Sequence, residues 1–392
     1  MFPLVGGGGR SDRLTEMLPD ELLPLFDDRF VRSCELFEEY VRRLALRVVR
    51  STGLDVAARE PGTPDEMAVR AGLDPVRAPV TVGWLLATLA SGGAVVRGGD
   101  GRYTVPAALP DLDPREVADA QERHDPSSLP SYRMADLAAA LYPSVLRGAA
   151  SGEETLFAPD RIGAWFEYFS NDNLIYAISN RIGAFAAERA LRADGGHVLE
   201  LGGGLGSGTA ALLERFTETG RLSTFRSYRF TEIAPSFLRR GQRRLAGRFS
   251  GVPLSFGRLD MDRPFREAGV EDGAFTLLYG VNTLHVARDL EFTLAEARRS
   301  LAPGGALVLS ECVRPFPGRP VYIEFLFNLL EAFRAPRLVA PWRPNGGFLT
   351  PEQWTAALEA CGFHDVTVYP DIARIREVCP SFVVAAIAAV RA

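Results

Sequence analysis

The sequence predicts an α/β fold in which a doubly wound, mainly parallel sheet occupies the C-terminal part and a mainly α-helical domain precedes it. From residue 198 onward, short apolar strand patterns alternate with helical patterns, as is typical of a parallel sheet covered by helices. A glycine-rich turn follows the first of these strands, whereas the N-terminal part shows helical spacing and one hairpin pattern. The 392 residues are enough for two domains with separate cores.

The C-terminal part contains strand patterns of two kinds. One group is separated by helical patterns and is expected to pair in parallel: 198–201, 227–232, 254–259, 275–281 and 306–310. The other group covers residues 365–369 and 382–390 and shows no helical pattern between its members. We therefore expect these last two segments to pair as an antiparallel hairpin at the end of the sheet.

The N-terminal part is expected to contain a winged helix. Residues 21–49 carry apolar side chains at helical spacing and predict one or two amphipathic helices. A helix-start pattern at 63–66 and a helical stretch at 75–90 follow, and 94–105 contains the Gly/Asp turn of a hairpin. Helix, helix and hairpin in this order indicate a winged helix, a fold that can either bind DNA or play a structural role.

These patterns also predict the domain boundaries. We assign residues 1–108 to the winged-helix domain. Residues 109–160 are rich in Pro, Asp and Ala, contain one helical stretch and form the predicted connection. Residues 161–392 form the predicted sheet domain, with an insertion at about 314–347 after its fifth strand.

Charge and cysteine content favour small-molecule chemistry in a reducing compartment. A formal net charge of −5 and an isoelectric point near 5.6 provide no general attraction to nucleic acid or to an anionic membrane. The four cysteines are scattered and lack C-x-x-C spacing, which argues against a zinc site or a disulfide framework. Because the sequence shows neither a signal-peptide pattern nor an apolar stretch of transmembrane length, we expect a cytoplasmic protein.

An acid and three glycines with E-x-G-x-G-x-G spacing mark the first predicted strand and its turn. Gly202, Gly204 and Gly206 permit positive φ and a close approach of the backbone to a nucleotide cofactor, and the following helix offers unpaired N–H groups. Glu200 lies inside an otherwise apolar strand, so its carboxylate needs polar partners. It can either orient the glycine turn or meet an amine of the cofactor.

Three further polar residues follow strands that should end at the same edge of the sheet. Glu232 ends the second strand, where a carboxylate can accept hydrogen bonds from ribose hydroxyls; a helix cap is the alternative. His285 follows the fourth strand and is either a general base or an ordinary surface or capping histidine. Glu311 ends the fifth strand, and a carboxylate there can bind the second imidazole nitrogen of His285.

The combination of these motifs resembles class I S-adenosylmethionine (SAM) methyltransferases, whose Rossmann-like sheet the predicted fold matches. The stretch 198–208 looks like their motif I. From residue 165 onward the chain is similar to small-molecule O-methyltransferases that carry an N-terminal winged-helix dimerisation domain. The segments YRFTEIAPSFL (228–238) and NTLHVARDL (282–290) look equally like the C-methyltransferase domains of polyketide synthases.

The resemblance implies SAM as the cofactor and assigns residues to it. Glu200, the glycine turn and Glu232 match cofactor-binding positions of the family. Asp260 and Met261 look like the adenine site, with Asp262 as a rival for the acidic role, and Asn282 is the remaining implied cofactor contact.

The resemblance also implies the catalytic residues. His285 matches the base of the O-methyltransferases, and His285 with Glu311 matches the His/Glu dyad of the C-methyltransferase domains. The O-methyltransferases usually carry acidic and aromatic residues directly after the histidine, and Val286-Ala287-Arg288 stand here instead. This departure slightly favours a carbon acceptor.

Aromatic side chains near residue 165 and in the insertion predict the acceptor pocket. They suit a flat or polyketide-like acceptor, although their helical spacing is equally typical of core or dimer packing. The candidates are Trp165, Tyr168, Tyr322, Phe325 and Trp342. Nearby arginines can hold a carboxylate or a phosphopantetheine phosphate, or can form a solvated face: Arg314, Arg319, Arg334, Arg337 and Arg343.

The sequence therefore predicts a SAM-dependent methyltransferase of specialised metabolism, acting on a small molecule that is either free or tethered to a carrier protein. We expect a homodimer, no nucleic-acid or membrane partner and, because the four histidines are isolated, no metal site. Two other functions stay open. One is a SAM-binding protein that catalyses a non-methylating reaction, and the other is a winged-helix regulator that senses a ligand.

Overall fold

A computed structural model of the protein describes residues 14, 16–18, 20–105, 108–192, 195–249 and 251–392. These residues divide into two compact units, which we call the sheet unit and the helical unit. The sheet unit comprises the described residues up to Asp27 together with Phe169–Pro315 and Pro336–Ala392, and the helical unit comprises Asp28–Tyr168 and Phe316–Ala335. The predicted insertion at about 314–347 is thus divided between the two units.

The helical unit consists of helices and one short hairpin, and it includes three helices in the predicted connection 109–160, where the sequence predicts one. Its elements are α1 (Asp28–Ser51), α2 (Leu54–Ala57), α3 (Pro64–Arg70), α4 (Ala78–Ser91), β1 (Val96–Arg97), β2 (Tyr103–Thr104), α5 (Pro114–His124), α6 (Leu129–Leu146), α7 (Gly152–Leu156) and α8 (Ile162–Tyr168). Helix α1 packs against α4, α5 and α6, and β1 pairs antiparallel with β2. Thr63 and Glu66 form a capping box that satisfies the first N–H groups of α3.

The sheet unit is built on one seven-stranded sheet. Its strands are β3 (Gly196–Leu201), β4 (Phe225–Thr231), β5 (Leu254–Gly257), β6 (Phe275–Val281), β7 (Leu301–Cys312), β8 (Phe363–Tyr369) and β9 (Val384–Arg391). They are ordered β5-β4-β3-β6-β7-β9-β8, with β3 to β7 parallel and β9 antiparallel to both of its neighbours. The predicted mainly parallel sheet with an antiparallel end is therefore confirmed.

Helices cover this sheet. Along the chain, two short helices that belong to the helical unit lie between the helices of the sheet unit. The remaining helices are α9 (Leu174–Ala190), α10 (Ser207–Glu218), α11 (Pro235–Leu245), α12 (Leu290–Ser300), α13 (Glu324–Phe327), α14 (Glu331–Arg334), α15 (Pro351–Ala360) and α16 (Ile372–Val378), of which α13 and α14 belong to the helical unit. Helix α9 packs against α10, β7 and β9, and α15 packs against β8 and β9. Within the described parts of the chain, no helix has both the length and the apolar character of a transmembrane span.

The connection between β8 and β9 differs from the prediction, which expects no helix there. Helix α16 lies between the two strands, and it begins where the Asp371 side chain accepts a hydrogen bond from the backbone N–H of Arg374. Ile372 and Ile375 bury one side of it. Two apolar residues three positions apart are too few for a periodic signal in the sequence, and packing in the folded protein stabilises this single capped stretch.

The centre of the sheet explains why the functional residues meet. Leu199, Leu278 and Leu307 are adjacent across β3, β6 and β7, and all three are completely buried. Strands with apolar residues on both faces are typical of a parallel sheet covered by helices. Because the strands run in parallel, the carboxyl ends of β3, β4, β6 and β7 reach one edge, and the predicted site residues lie at or just beyond these ends.

Candidate functional site

The glycine turn after β3 is closely packed at one end and open at the other. Gly202, Gly204 and Gly206 all have left-handed φ values, of 61°, 56° and 78°. A Cβ atom at Gly202 would lie 2.0 Å from Oγ1 of Thr283, so no side chain fits there, whereas a Cβ at Gly204 would have no heavy atom within 4 Å. The turn therefore borders open space beside Gly204. This cradle fits the nucleotide cofactor that the sequence predicts.

The Glu232 carboxylate directly adjoins this open part of the turn. Its Oε2 accepts a hydrogen bond of 2.9 Å from the backbone N–H of Gly204, and its Oε1 accepts one of 2.8 Å from that of Ala234. Burial raises the pKa of Glu232, and the backbone N–H donors oppose the rise. The predicted ribose acceptor thus stands next to the cradle, in contact with the turn itself.

Glu200 lies on the other side of the turn, completely inside the sheet unit. Its Oε2 accepts hydrogen bonds of 2.5 Å from Oγ1 of Thr209, in the first turn of α10, and of 2.8 Å from the hydroxyl of Tyr228 on β4. These contacts tie the start of α10 to the sheet, and both predicted roles of Glu200 stay predictions. Sequence reasoning missed both donors, although Tyr228 follows from register: it pairs with Val198, which faces the same side of β3 as Glu200.

The loop after β5 carries the two acids, Asp260 and Asp262, that are alternatives for the predicted adenine contact. Asp262 accepts a hydrogen bond of 2.8 Å from the backbone N–H of Arg288, so its carboxylate holds the loop in place. Asp260 accepts one of 3.0 Å from the backbone N–H of Asp262, and the Met261 carbonyl accepts one from Thr293 on α12. Asp260 and Met261 are both partly exposed. The adenine role of Asp260 and Met261 stays a prediction.

His285 and Glu311 are in direct contact, as the sequence predicts from the adjacency of their strands. His285 lies in a 3-10 turn, Leu284–Val286, and its Nδ1 is 2.6 Å from Oε2 of Glu311. The other carboxylate oxygen, Oε1, accepts hydrogen bonds from the backbone N–H groups of Thr283 at 3.1 Å and Leu284 at 2.8 Å. Both side chains are almost fully buried. Three donors thus hold Glu311 in one orientation, and Glu311 in turn orients the imidazole ring.

Asn282, the predicted cofactor contact at the end of β6, also links this strand to β7. Its left-handed φ of 47° is unusual for a residue other than glycine. Its side-chain oxygen accepts a hydrogen bond of 2.8 Å from the backbone N–H of Cys312, and its own N–H donates to the Ser310 carbonyl at 2.7 Å. Asn282 therefore shapes the turn that leads to His285.

Two residues that sequence reasoning did not connect with His285 pack against it. Phe348 places its ring centroid 4.7 Å from that of the imidazole. Arg343, grouped with other arginines as a possible anion site, is completely buried and donates to the His285 carbonyl at 2.6 Å. Another member of that group, Arg337, pairs with Asp289 at the surface. No local pattern marks Arg343 or Phe348, because both lie more than fifty residues beyond His285 in a segment without regular structure.

The predicted acceptor residues are distributed over both units. Trp165, Tyr168, Tyr322 and Phe325 lie in the helical unit, and Trp342 lies in the sheet unit. Tyr168, Tyr322 and Phe325 contribute to the lining of one cavity of about 10 Å³, which is room for roughly one water molecule. Phe325 also stacks on Tyr142, with 4.8 Å between ring centroids. Their contact with an acceptor stays a prediction.

The buried Glu200 generates a prediction for stability. Burial, the largest cause, raises the pKa of Glu200 to about 7, whereas an unfolded glutamate titrates at about 4.3. Between these pH values the folded protein keeps a proton that the unfolded chain has released, so the free energy of unfolding should fall as pH rises towards 7. We expect this loss to be on the order of 3 kcal/mol and to be absent from Glu200→Gln.

Urea denaturation of both proteins at pH 5, 6, 7 and 8 measures this effect. The free energy of unfolding of Glu200→Gln minus that of the wild type should increase from pH 5 to 7. Above pH 7 this difference should change little. The exposed Glu271 provides a matched control, since Glu271→Gln should reproduce the wild-type profile. Parallel profiles for the wild type and Glu200→Gln would contradict the prediction.

Comparison with known protein families supports this interpretation of the site. Residues 199–307 match the family model described as a methyltransferase domain. The chain is 28% identical over 243 residues to highly reducing polyketide synthase 2 of Gibberella zeae, covering 60% of this chain and 9% of that protein. It is 35% identical over 166 residues to methyltransferase calH of Penicillium decumbens, covering 42% and 43% of the two chains. The chain thus spans about a tenth of the polyketide synthase and under half of calH.

Solved structures show the same fold over nearly the whole chain. The CurJ carbon methyltransferase superimposes with a TM-score of 0.75 at 22% identity, covering 97% of this chain and 98% of that one. The trans-methyltransferase CalH, determined in complex with SAH, superimposes with a TM-score of 0.58 at 19% identity, covering 91% of each chain. Together these findings show that the chain contains a methyltransferase domain and has the fold of the CurJ and CalH methyltransferases.

Proposed function

We propose that this protein transfers a methyl group from SAM to an acidic carbon of a polyketide-type acceptor, with His285 as the general base and Glu311 as its partner. The observation that carries the proposal is the buried His285–Glu311 contact of 2.6 Å. It lies at the same strand edge as the cofactor cradle, because β6 and β7 run parallel to β3. A base and a cofactor site at one edge are the two elements that methyl transfer requires.

Residues at the ends of β3, β4 and β5 would hold the cofactor. The glycine turn with Gly204 provides the cradle, and Glu232 provides the carboxylate for ribose hydroxyls. Asp260 and Met261 provide an acid and an apolar side chain for the adenine. When bound, SAM supplies an electrophilic methyl group.

The orientation of His285 decides which nitrogen takes the proton. Because Nδ1 faces Glu311, Nε2 is the nitrogen that acts on the acceptor. The backbone N–H groups of Thr283 and Leu284 fix the carboxylate, so the ring keeps one tautomer and one orientation. When Nε2 accepts a proton, Glu311 stabilises the imidazolium that forms.

Carbon methylation is supported by the chemistry of β-keto acceptors and by the relatives. His285 removes a proton from a carbon between two carbonyl groups, and the electron pair left on that carbon would form the new carbon–carbon bond to the methyl group as the methyl–sulfur bond breaks, leaving its electron pair on sulfur in S-adenosylhomocysteine. The absence of acidic and aromatic residues directly after His285 supports the same choice. So do the names of similar proteins, which include polyketide synthases and a carbon methyltransferase.

The partners of the reaction are part of the same proposal. The acceptor is a small molecule, either free or tethered to a carrier protein, because the similar segments belong to much longer synthases. The predicted homodimer and the predicted cytoplasmic location are kept as expectations. Sedimentation of the purified protein would measure the first.

The position of the transferred methyl group tests the proposal. We expect a label from SAM carrying a ¹³C methyl group to appear on the α-carbon of a β-ketoacyl thioester, detected by mass spectrometry and by ¹³C NMR. The panel should include the acyl group on a carrier protein, the same group on a short pantetheine mimic, and a phenolic acceptor. Label on oxygen alone would refute carbon methylation, and SAM binding without transfer to any acceptor would favour a non-methylating reaction.

Substitution of the dyad tests the catalytic roles. We expect His285→Gln and Glu311→Gln each to lower the rate of transfer by roughly 10² to 10⁴-fold, because the acceptor proton then has no positioned base. SAM affinity should change little. The surface pair His364 and Asp365, with 2.8 Å between Nδ1 and Oδ2, offers a matched control. His364→Gln should keep the wild-type rate, and a similar loss in all three variants would point to folding instead of catalysis.

Substitution of Glu232 tests the cofactor site. Glu232→Gln keeps an oxygen for the Gly204 N–H group but removes the negative charge, so its hydrogen bonds to ribose hydroxyls should weaken. We expect the dissociation constant of SAM, measured by calorimetry, to rise roughly 10-fold to 100-fold. Glu271→Gln, at an exposed position, should bind SAM as the wild type does. An unchanged dissociation constant in Glu232→Gln would remove this residue from the proposed site.

A further inference from the structure

Arg343 contacts the His285 turn from inside the sheet unit. Its Nη2 donates a hydrogen bond of 2.6 Å to the His285 carbonyl, and its Nη1 donates one of 3.2 Å to the Ala287 carbonyl. The guanidinium therefore binds the carbonyl groups at the end of the 3-10 turn that carries the proposed base. A cation is favourable at such carbonyl groups because they carry partial negative charge.

The backbone around Arg343 is fixed as well. Its N–H donates to the Val339 carbonyl at 2.6 Å, and the Val339 N–H donates back to the Arg343 carbonyl at 2.9 Å. Five residues further on, Phe348 packs against the imidazole ring. The segment from Val339 to Phe348 thus contacts both the main chain and the side chain of His285.

The charge of Arg343 is unusual because the side chain has no exposed surface. Burial lowers the pKa of Arg343 to about 10, which still leaves it charged at neutral pH. Glu311 opposes this decrease more strongly than Asp262 or Asp289 do. A buried charge is stable only when it is paired and hydrogen-bonded. Because Glu311 binds the His285 ring and Arg343 binds the His285 carbonyl, the three residues form one cluster.

We propose that Arg343 is a positioning residue for the dyad, which holds the His285 turn through two carbonyl groups and places a positive charge beside the residue that carries the imidazole. This inference rests on the proposed function of His285 as a base. The Arg343 side chain thus has two roles. The contacts with two carbonyl groups need the fork of the guanidinium, whereas the electrostatic effect on the dyad needs only a positive charge.

The charge of Arg343 should influence when the dyad binds a proton. The groups that face the dyad or Arg343 are Glu311, Tyr176, Asp262 and Asp289. All of them are acidic, and Asp289 is already paired with Arg337 at the surface. Removing its charge makes the negative dyad less stable, so the dyad should take up its proton at a higher pH.

The test compares two substitutions that each remove one role. Arg343→Gln keeps N–H donors but loses the charge, and Arg343→Lys keeps the charge but loses the fork. The readout is an NMR titration of histidine ¹³Cε1 signals, in which His285 is one of four histidines and is assigned with His285→Gln. We expect its midpoint to rise by about one pH unit in Arg343→Gln and to stay unchanged in Arg343→Lys.

The rate of methyl transfer supplies the second readout. The acid limb of the pH profile should move with the NMR midpoint in Arg343→Gln. In Arg343→Lys we expect kcat to fall about tenfold at all pH values with KM for SAM unchanged, because the turn is less well held. Arg374→Gln serves as the control, since Arg374 is exposed on α16 and is not among the groups named near the dyad. It should leave the midpoint and the rate unchanged.

The outcomes separate this inference from the proposed function. An unchanged midpoint in a folded Arg343→Gln would overturn it, and so would an Arg343→Lys protein with the wild-type kcat. If Arg343→Gln does not fold, Arg343→Lys decides, because a lower kcat at an unchanged midpoint supports positioning by the fork. Because the titration needs no acceptor, it remains readable even if the protein transfers no methyl group.

Discussion

The three hydrogen bonds of the Glu311 carboxylate are the interaction on which the site depends. Glu311 stands near the end of a central strand with no exposed surface, where an unsatisfied carboxylate would be strongly unfavourable. Two backbone N–H groups and one imidazole nitrogen satisfy it. These donors come from one turn after β6, so the parallel pairing of β6 with β7 is what allows them to meet. Fold stability and the geometry of the proposed base therefore rest on the same contact.

Much of the fold and part of the site can be predicted from the sequence. The strands and the glycine turn have local signals, and once the strands are placed in order, the contact between Glu311 and His285 follows from their adjacency. Arg343 and Phe348 have no such signal, because they reach His285 from an irregular segment whose path depends on tertiary packing. Helix α16 is missed for a similar reason: its few buried residues are recognisable only after β8 and β9 are paired.

The two acids that adjoin the glycine turn show how similar residues acquire different tasks. Glu200 receives its hydrogen bonds from side chains of α10 and β4 and lies completely inside the unit. Glu232 receives its hydrogen bonds from the backbone, next to open space. The sequence identifies both as unusual acids beside a glycine motif. Only the donors that surround each one distinguish the buried acid that ties α10 to the sheet from the acid that adjoins open space.

The close approach of Gly202 to Thr283 joins two parts of the site that would otherwise be independent. The hydroxyl of Thr283 occupies the space of a side chain at position 202, while the N–H group of Thr283 donates to Glu311. A larger residue at 202 would therefore press on the residue that orients the carboxylate. The glycine turn and the His285–Glu311 pair share a common wall in this protein, so sequence change on one side of that wall is constrained by packing on the other.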